Sequence, residues 1–141
     1  AAEFLRGLVT GGLPKVGRMN LVYVSDDRGR ILTEMSCIRH GEDHFTMITA
    51  GSAQWHDFEI LKKALPAGLR LTDHTTEFAT MIVTGPQSRD LFAGISDADL
   101  SLGWLTHQEA TVAGKPAERW LMWVLAGLTV LSVLFVLVQG G

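Results

Sequence analysis

The chain has 141 residues, a formal net charge of −3 and one cysteine, Cys37. A chain of this length is expected to form a single domain with a sizeable core. The mild acidity and the lack of a Lys/Arg stripe argue against nucleic-acid binding. A single cysteine excludes a disulfide framework and any zinc site built from several thiolates.

The first third of the chain is predicted to be a helix followed by three antiparallel strands. Residues 2–9 carry apolar side chains at helical spacing, and Gly11-Gly12 ends that helix. Three stretches then alternate between two faces, as strands do: residues 19–24, 30–39 and 45–49. They are joined by four-residue turns over residues 26–29 and 40–43. We therefore expect an antiparallel meander.

A second helix is predicted to follow the meander. Ser52 precedes it and has the side chain of an N-cap residue. The apolar side chains at helical spacing, which we expect to form its buried face, are Trp55, Phe58, Leu61 and Leu65.

The region after this helix is predicted to alternate between strands and a helix. A short strand over residues 70–72 is followed by a buried strand from Phe78 to Val83. Gly85-Pro86 then forms a turn, because proline suits the first turn of the helix predicted over residues 87–93. A last strand is expected over residues 106–112.

The stretch from Trp120 to Val138 contains no charged residue. As a helix it would be roughly 28 Å long, close to the ~30 Å hydrocarbon core of a bilayer, with its Trp residues at the interface. We favour a membrane-spanning helix; the alternative is a buried strand pair or a core helix. Basic residues precede the stretch, so the positive-inside rule places the N-terminal body in the cytoplasm. The chain would then divide into a body, residues 1–116, and a hydrophobic tail, residues 117–141.

Few residues offer independent chemistry. His40 and His44 are four residues apart, but they flank a turn between strands and so lack the helical geometry of a zinc-binding pair. No P-loop and no G-x-G-x-x-G motif is present, which argues against a self-contained flavin or nicotinamide site. Cys37 has no identified base partner and is expected to be a small core residue. We predict neither a metal site nor a catalytic residue.

Glu34 is the one acidic side chain inside an apolar strand. By alternation it shares a face with Leu32, Ser36 and Ile38. If that face is the core, Glu34 needs a partner or a function, since a buried carboxylate is costly. If that face is outward, Glu34 is an ordinary solvated residue. Alternation alone leaves both possibilities open.

Several motifs, taken in order, carry a resemblance to a known family. They are Leu13 to Asn20, Asp26 to Glu34, His40 to Phe45, Trp55-His56-Asp57, Asp73 to Thr76 and Gly85 to Asp90. Residues 1–116 thereby resemble the folate-binding domain of the aminomethyltransferase (glycine cleavage T-protein) family. The most similar part is the C-terminal half of dimethylglycine and sarcosine dehydrogenases.

The resemblance implies an α+β fold: half of a folate-binding domain, with a β meander and packed helices, to which the hydrophobic C-terminal helix is added. It implies tetrahydrofolate as the ligand and one-carbon transfer as the reaction. FAD is implied only through a domain that is missing here, and a separate chain could supply that domain. Glu34 falls on the position of the family's acidic residue and would hold the folate near its reacting nitrogens. The family's G-E-x-G-x-E segment does not follow Arg119, so the chain is not expected to catalyse the reaction alone.

Two hypotheses of different classes result. The first is a folate-binding, one-carbon-transfer fragment of a dimethylglycine or sarcosine dehydrogenase-like enzyme. The second is a membrane-anchored, non-catalytic binding module that has lost folate chemistry. A third alternative is a frameshift or a chimaeric assembly of the gene that replaced the true C-terminal half by an apolar one.

Overall fold

The computed structural model describes residues 1–78, 81–122 and 132–139. These residues divide into two units, one made of residues 1–78 and 132–139 and the other of residues 81–122. The elements in chain order are α1 (Ala2–Leu8), β1 (Arg18–Ser25), β2 (Ile31–Arg39), β3 (His44–Ala50), α2 (Gln54–Ala64), β4 (Leu69–Asp73), α3 (Ser88–Ala93), β5 (His107–Val112), β6 (Lys115–Met122) and β7 (Ser132–Gln139). The α+β class is confirmed.

The first unit contains one five-stranded sheet of order β1-β2-β3-β7-β4, in which every neighbouring pair is antiparallel. The predicted meander of β1, β2 and β3 is confirmed. Its first turn is closed by Asp26, whose carboxylate accepts hydrogen bonds from the backbone N–H of Arg28 at 3.0 Å and of Arg30 at 2.9 Å. Gly29 completes this turn with a φ of 75°, which glycine adopts without steric cost.

The core of this unit lies between one face of the sheet and the two helices. The buried cluster joins apolar side chains of α1, the strands and α2: Leu5, Val9, Val22, Val24, Met35, Cys37, Phe45, Met47 and Leu61. Each large side chain buried in this way contributes roughly 1.5–3 kcal/mol relative to its exposed state. Cys37 is the small core residue that the sequence predicts. We call this side of the sheet the core face.

Helix α2 is placed as predicted, but its start and its buried face differ from the prediction. A short 3₁₀ turn, Gly51–Ala53, leads into the helix, and no side chain caps it, so the assignment of Ser52 as N-cap is wrong. Trp55 is 75% exposed, whereas Asp57 and Leu61 are fully buried. The helix is therefore rotated so that Asp57 instead of Trp55 precedes Leu61 on the buried face, four residues apart.

The predicted strand from Phe78 to Val83 is wrong for its described part. Met81 to Val83 lie outside any strand, and Met81 is 86% exposed. The physical reason is a choice of partner that local sequence does not contain: β4 pairs along its whole length, Leu69–Asp73, with the distant β7 and not with the segment that follows it in the chain. Residues 79 and 80 lie outside the described residues. The Gly85-Pro86 turn and the helix after it are present, with Gly85 at a φ of 119°.

The predicted membrane-spanning helix over residues 120–138 is also wrong. Residues 120–122 belong to β6, residues 132–138 belong to β7, and the part between them lies outside the described residues. Among the residues that the structure describes, no helix combines the length and apolar character needed to cross a bilayer. An uncharged apolar run is equally suited to a central strand, and β7 has strands on both sides.

The second unit contains α3 and the β5–β6 hairpin. Strand β5 begins within a residue of its predicted position. The hairpin turn consists of Ala113 and Gly114, which both have positive φ angles, 50° and 71°. Two consecutive positive φ angles are typical of the type I′ turn, which matches the right-handed twist of the flanking strands.

Candidate functional site

The face of the sheet opposite the core face is the candidate site. We call it the Glu34 face and define it by the strand residues of β1, β2 and β3 that point away from the core: Met19, Leu21, Tyr23, Leu32, Glu34, Ser36, Ile38, Thr46 and Ile48. The helices α1 and α2 pack on the other side, because their buried residues join the cluster on the core face. Strand alternation thus places the side chain of Glu34 on one face of the sheet and those of Met35 and Cys37 on the other.

Glu34 is exposed, and it lies opposite Tyr23 on the neighbouring strand. The two alternatives that alternation left open are thereby decided in favour of the outward face. In the described part of the chain, the Glu34 carboxylate and the Tyr23 hydroxyl have neither a hydrogen bond nor an ion pair.

The side chains of Tyr23 and Glu34 are close neighbours. The backbone of Tyr23 exchanges hydrogen bonds with Thr10 on the outer side of β1, at 2.7 Å and 3.3 Å. Because its N–H and C=O point away from β2, Tyr23 and Glu34 form a non-hydrogen-bonded pair of the β1–β2 ladder. In such pairs the Cβ atoms lie roughly 4.5–5.5 Å apart.

One end of the Glu34 face is open and the other is closed. Around Glu34, the side chains of Leu21 and Leu32 are each 46% exposed. At the other end, Ile38 and Thr46 are buried. There the Nε2 atom of His40 lies 2.8 Å from the Thr46 hydroxyl oxygen. The open end therefore combines apolar surface with one carboxylate.

The two histidines singled out in the sequence lie at this closed end. The ring centroids of His40 and His44 are 4.7 Å apart. Nearby, Arg39 donates hydrogen bonds to the carbonyl of Gly41 at 3.0 Å and to the carboxylate of Glu42 at 3.0 Å. The described residues contain no group of three or more His, Cys, Asp or Glu that could hold a metal ion. The polar groups at this end bind one another and fix the β2–β3 turn.

A second polar site lies at the start of α2, and the sequence reading missed its burial. The fully buried carboxylate of Asp57 accepts a hydrogen bond from the Thr49 hydroxyl and lies 2.9 Å from Nδ1 of His56. The i, i+4 spacing of Asp57 and Leu61 is the signal that could have placed Asp57 on the buried face. This group joins α2 to β3 on the core side, away from Glu34.

The surroundings of two other titratable groups, Cys37 and Asp73, shift their pKa values. Burial raises the pKa of the Cys37 thiol to about 12, against a smaller lowering by the charge of Arg39, so the nucleophilic thiolate is absent at neutral pH. Burial also acts to raise the pKa of Asp73, but hydrogen bonds from Thr75 and from the Gln54 amide outweigh it and lower that pKa. Neither group has the character of a nucleophile or a general base at neutral pH.

Comparison with known proteins gives a match to the GCVT N-terminal domain family over residues 1–121. Mitochondrial dimethylglycine dehydrogenase of Mus musculus is 27% identical over 104 residues, which cover 72% of this chain and 12% of that protein. Aminomethyltransferase of Thermus thermophilus is 31% identical over 110 residues, which cover 76% of this chain and 31% of that protein. Sarcosine oxidase subunit alpha of a Corynebacterium species is 34% identical over 107 residues, 70% of this chain and 11% of the relative.

These matches confirm the resemblance carried by the ordered motifs. They also show that the chain spans only a small part of each of these relatives, at most 31% of their length.

Proposed function

This chain belongs to the GCVT N-terminal domain family, and on that premise we propose that its Glu34 face binds a reduced folate. The chain would be the part of a one-carbon-transfer enzyme, of the aminomethyltransferase or dimethylglycine dehydrogenase type, that holds tetrahydrofolate. The observation that carries the proposal is the Glu34 carboxylate, which is exposed and has no partner among the described residues. The resemblance independently assigns the family's acidic residue to this position.

The chemistry of the face suits such a ligand. A carboxylate can accept hydrogen bonds from the N–H groups of a reduced pteridine and can stabilise positive charge that develops on its amine nitrogens. Leu21 and Leu32 add exposed apolar surface on either side of Glu34, where the flat rings of a folate can be buried. In this proposal, Glu34 orients the amine that accepts the one-carbon unit.

The proposal assigns the remaining chemistry to other parts of a longer enzyme. The curated relatives are longer than this chain, which aligns with 12% of one and 31% of the other. We therefore propose that oxidation of the amine substrate takes place at an FAD site outside these 141 residues, carried by another domain or by a separate chain. This chain alone would bind folate without turning it over.

Calorimetric titration of the full chain with tetrahydrofolate under anaerobic conditions tests the proposal. We expect saturable binding, and we expect Glu34→Gln to weaken it roughly 10- to 100-fold, the usual value of a hydrogen bond to a charged group. The matched control is Glu59→Gln, because Glu59 is an exposed glutamate on α2, on the other side of the sheet. Lack of saturable binding by the unmodified chain would refute the folate proposal. Equal affinity of the Glu34 and Glu59 variants would remove Glu34 from the site.

A further inference from the structure

We propose that Tyr23 is a second ligand-contacting residue of the Glu34 face and that its ring forms the wall against which a ring of the reduced folate packs. The inference rests on the proposed function, and it deepens it by naming a specificity-determining residue. It concerns contact with the ligand and assigns no chemical step to Tyr23.

The first support is the position of Tyr23 relative to Glu34. The two residues are a directly opposed, non-hydrogen-bonded pair, so their side chains leave the sheet side by side. Of the two reacting nitrogens of tetrahydrofolate, N5 belongs to the reduced ring of the pteridine and N10 is attached to the arylamine ring. A carboxylate that holds those nitrogens therefore has a flat ring next to it, within reach of the neighbouring side chain.

The second support is the chemical character of the face. Tyr23 is the only Tyr, Phe or Trp among the strand residues that define the Glu34 face, and the chain contains one tyrosine in all. Tyr23 is half-buried whereas Glu34 is exposed, so neighbouring atoms cover part of Tyr23 and the rest is open to solvent. A partly buried ring offers a flat surface for offset or edge-to-face contact with a ligand ring.

The third support is the rigidity of the backbone that carries Tyr23. On the outer side of β1, Thr10 donates to the carbonyl of Tyr23 through its N–H at 2.7 Å and through its hydroxyl at 3.3 Å. Thr10 also accepts the N–H of Tyr23 at 3.3 Å. Both backbone polar groups of Tyr23 are thus bonded to Thr10, and its chain neighbours Val22 and Val24 are the residues of β1 that face β2 with their backbone polar groups. A ring on a fixed backbone loses less freedom on ligand binding, which favours affinity.

Tyr23 should therefore discriminate through its ring rather than through its hydroxyl. Removing an aromatic ring on which a heterocycle packs typically weakens binding roughly 5- to 100-fold. We expect Tyr23→Leu to weaken tetrahydrofolate binding within this range and Tyr23→Phe to keep the affinity within about twofold. Trp55→Leu is the matched control, since Trp55 is an exposed aromatic residue on α2, away from the Glu34 face.

The experiment is calorimetric titration of the unmodified full chain and of the Tyr23→Leu, Tyr23→Phe, Glu34→Gln and Trp55→Leu variants with tetrahydrofolate. If the unmodified chain does not bind, the folate proposal fails. If it binds and Glu34→Gln weakens binding while Tyr23→Leu does not, the inference about Tyr23 alone is refuted. A large loss in Tyr23→Phe, equal to that in Tyr23→Leu, would also refute the ring-wall role.

A second measurement covers the case in which Tyr23→Leu does not fold. Because the chain has a single tyrosine, the ring protons of Tyr23 are identified in the unmodified protein without mutagenesis. At saturating tetrahydrofolate we expect intermolecular nuclear Overhauser effects between these ring protons and aromatic or methylene protons of the ligand. A saturated complex that shows none of them would overturn the inference.

Discussion

The hydroxyl of Thr49, on β3, donates a hydrogen bond to the carboxylate of Asp57, on α2, inside the core of the first unit. This contact joins the central part of the sheet to the helix that covers it. Asp57 is fully buried, so the hydroxyl supplies one of the few hydrogen bonds that compensate the carboxylate for lost water.

We expect Thr49→Val to destabilise the protein by about 1–3 kcal/mol, because it leaves a buried carboxylate oxygen without its donor while preserving the volume of the side chain. Urea unfolding followed by circular dichroism measures this difference. Thr49→Ser keeps the hydroxyl and should cost less. Thr76→Val, at an exposed loop position, is the control and should change stability by less than about 0.5 kcal/mol. A neutral Thr49→Val variant would contradict a structural role for this pair.

Burial of the Cys37 thiol predicts both its reactivity and a dependence of stability on pH. With the pKa of the thiol raised to about 12, the native protein should not react with a disulfide reagent at pH 7, whereas the protein unfolded in urea should react at once. The thiol stays protonated in the folded state over a pH range in which it ionises in the unfolded state. Folding stability should therefore fall as the pH rises from about 9 toward 12.

Comparison with Cys37→Ala isolates this contribution from other groups that titrate at alkaline pH. The stability difference between the unmodified protein and the variant should shrink by up to about 1.4 kcal/mol per pH unit over that range. A difference that stays constant with pH, or rapid labelling of the native protein, would show that Cys37 is accessible.

The sequence predicts the meander of β1, β2 and β3 correctly because alternation and tight turns are local signals. The sequence could not decide whether the face of β2 that carries Glu34 is buried or exposed, since both faces of that strand have apolar residues. The decision depends on α1 and α2, which cover the Met35 side. Likewise, helical spacing predicted that Trp55 lies on the buried face, but the helix buries the smaller Asp57, whose partner Thr49 belongs to a different element.

The segment Met81 to Val83 and strand β7 show a further limit of local signals. Met81 to Val83 have strand-forming side chains and are not in a strand, whereas part of the uncharged tail forms β7. Propensity states which segments can be strands, but the choice of partner depends on contacts between distant residues. For the same reason, an apolar run long enough for a bilayer could not be distinguished from a central strand.

The lowered pKa of Asp73 predicts a loss of stability in acid. Burial alone would raise this pKa, but the Thr75 hydroxyl at 2.5 Å, the Thr75 N–H and the Gln54 amide, both at 2.9 Å, lower it. A carboxyl group with a lowered pKa in the folded state stabilises the protein above its unfolded value, about pH 3.9, and this stabilisation is lost as the pH falls through the folded value.

We expect Thr75→Val to cost about 1 kcal/mol at pH 7, because it removes the hydroxyl that bonds the Asp73 carboxylate. The difference between the unmodified protein and the variant should disappear at the acidic end of a pH series of urea unfolding curves, where Asp73 is protonated in both. Asp73→Asn provides the control, since it should remove the acid dependence of the Thr75 effect. If the variant costs the same stability at all pH values, the Thr75 hydroxyl does not lower the pKa of Asp73.

Strand β7 is expected to be essential to the first unit because its backbone lies between two other strands. It pairs with β3 from His44 to Ala50 and with β4 from Leu69 to Asp73. Val136 is opposite Thr46 on one side and Thr72 on the other. A proline in a strand with partners on both sides removes a backbone donor and is not accommodated.

Val136→Pro should therefore destabilise the protein by about 3 kcal/mol or more, whereas Val136→Thr, which keeps the backbone N–H and the β-branched shape, should cost considerably less. Thermal unfolding by circular dichroism measures both, and hydrogen exchange of the β3 amides tests the local effect. Loss of protection of the β3 amides in the proline variant would show that the β3–β7 pairing is the part of the sheet that is disrupted. A proline variant as stable as the threonine variant, with β3 still protected, would show that the sheet does not depend on β7.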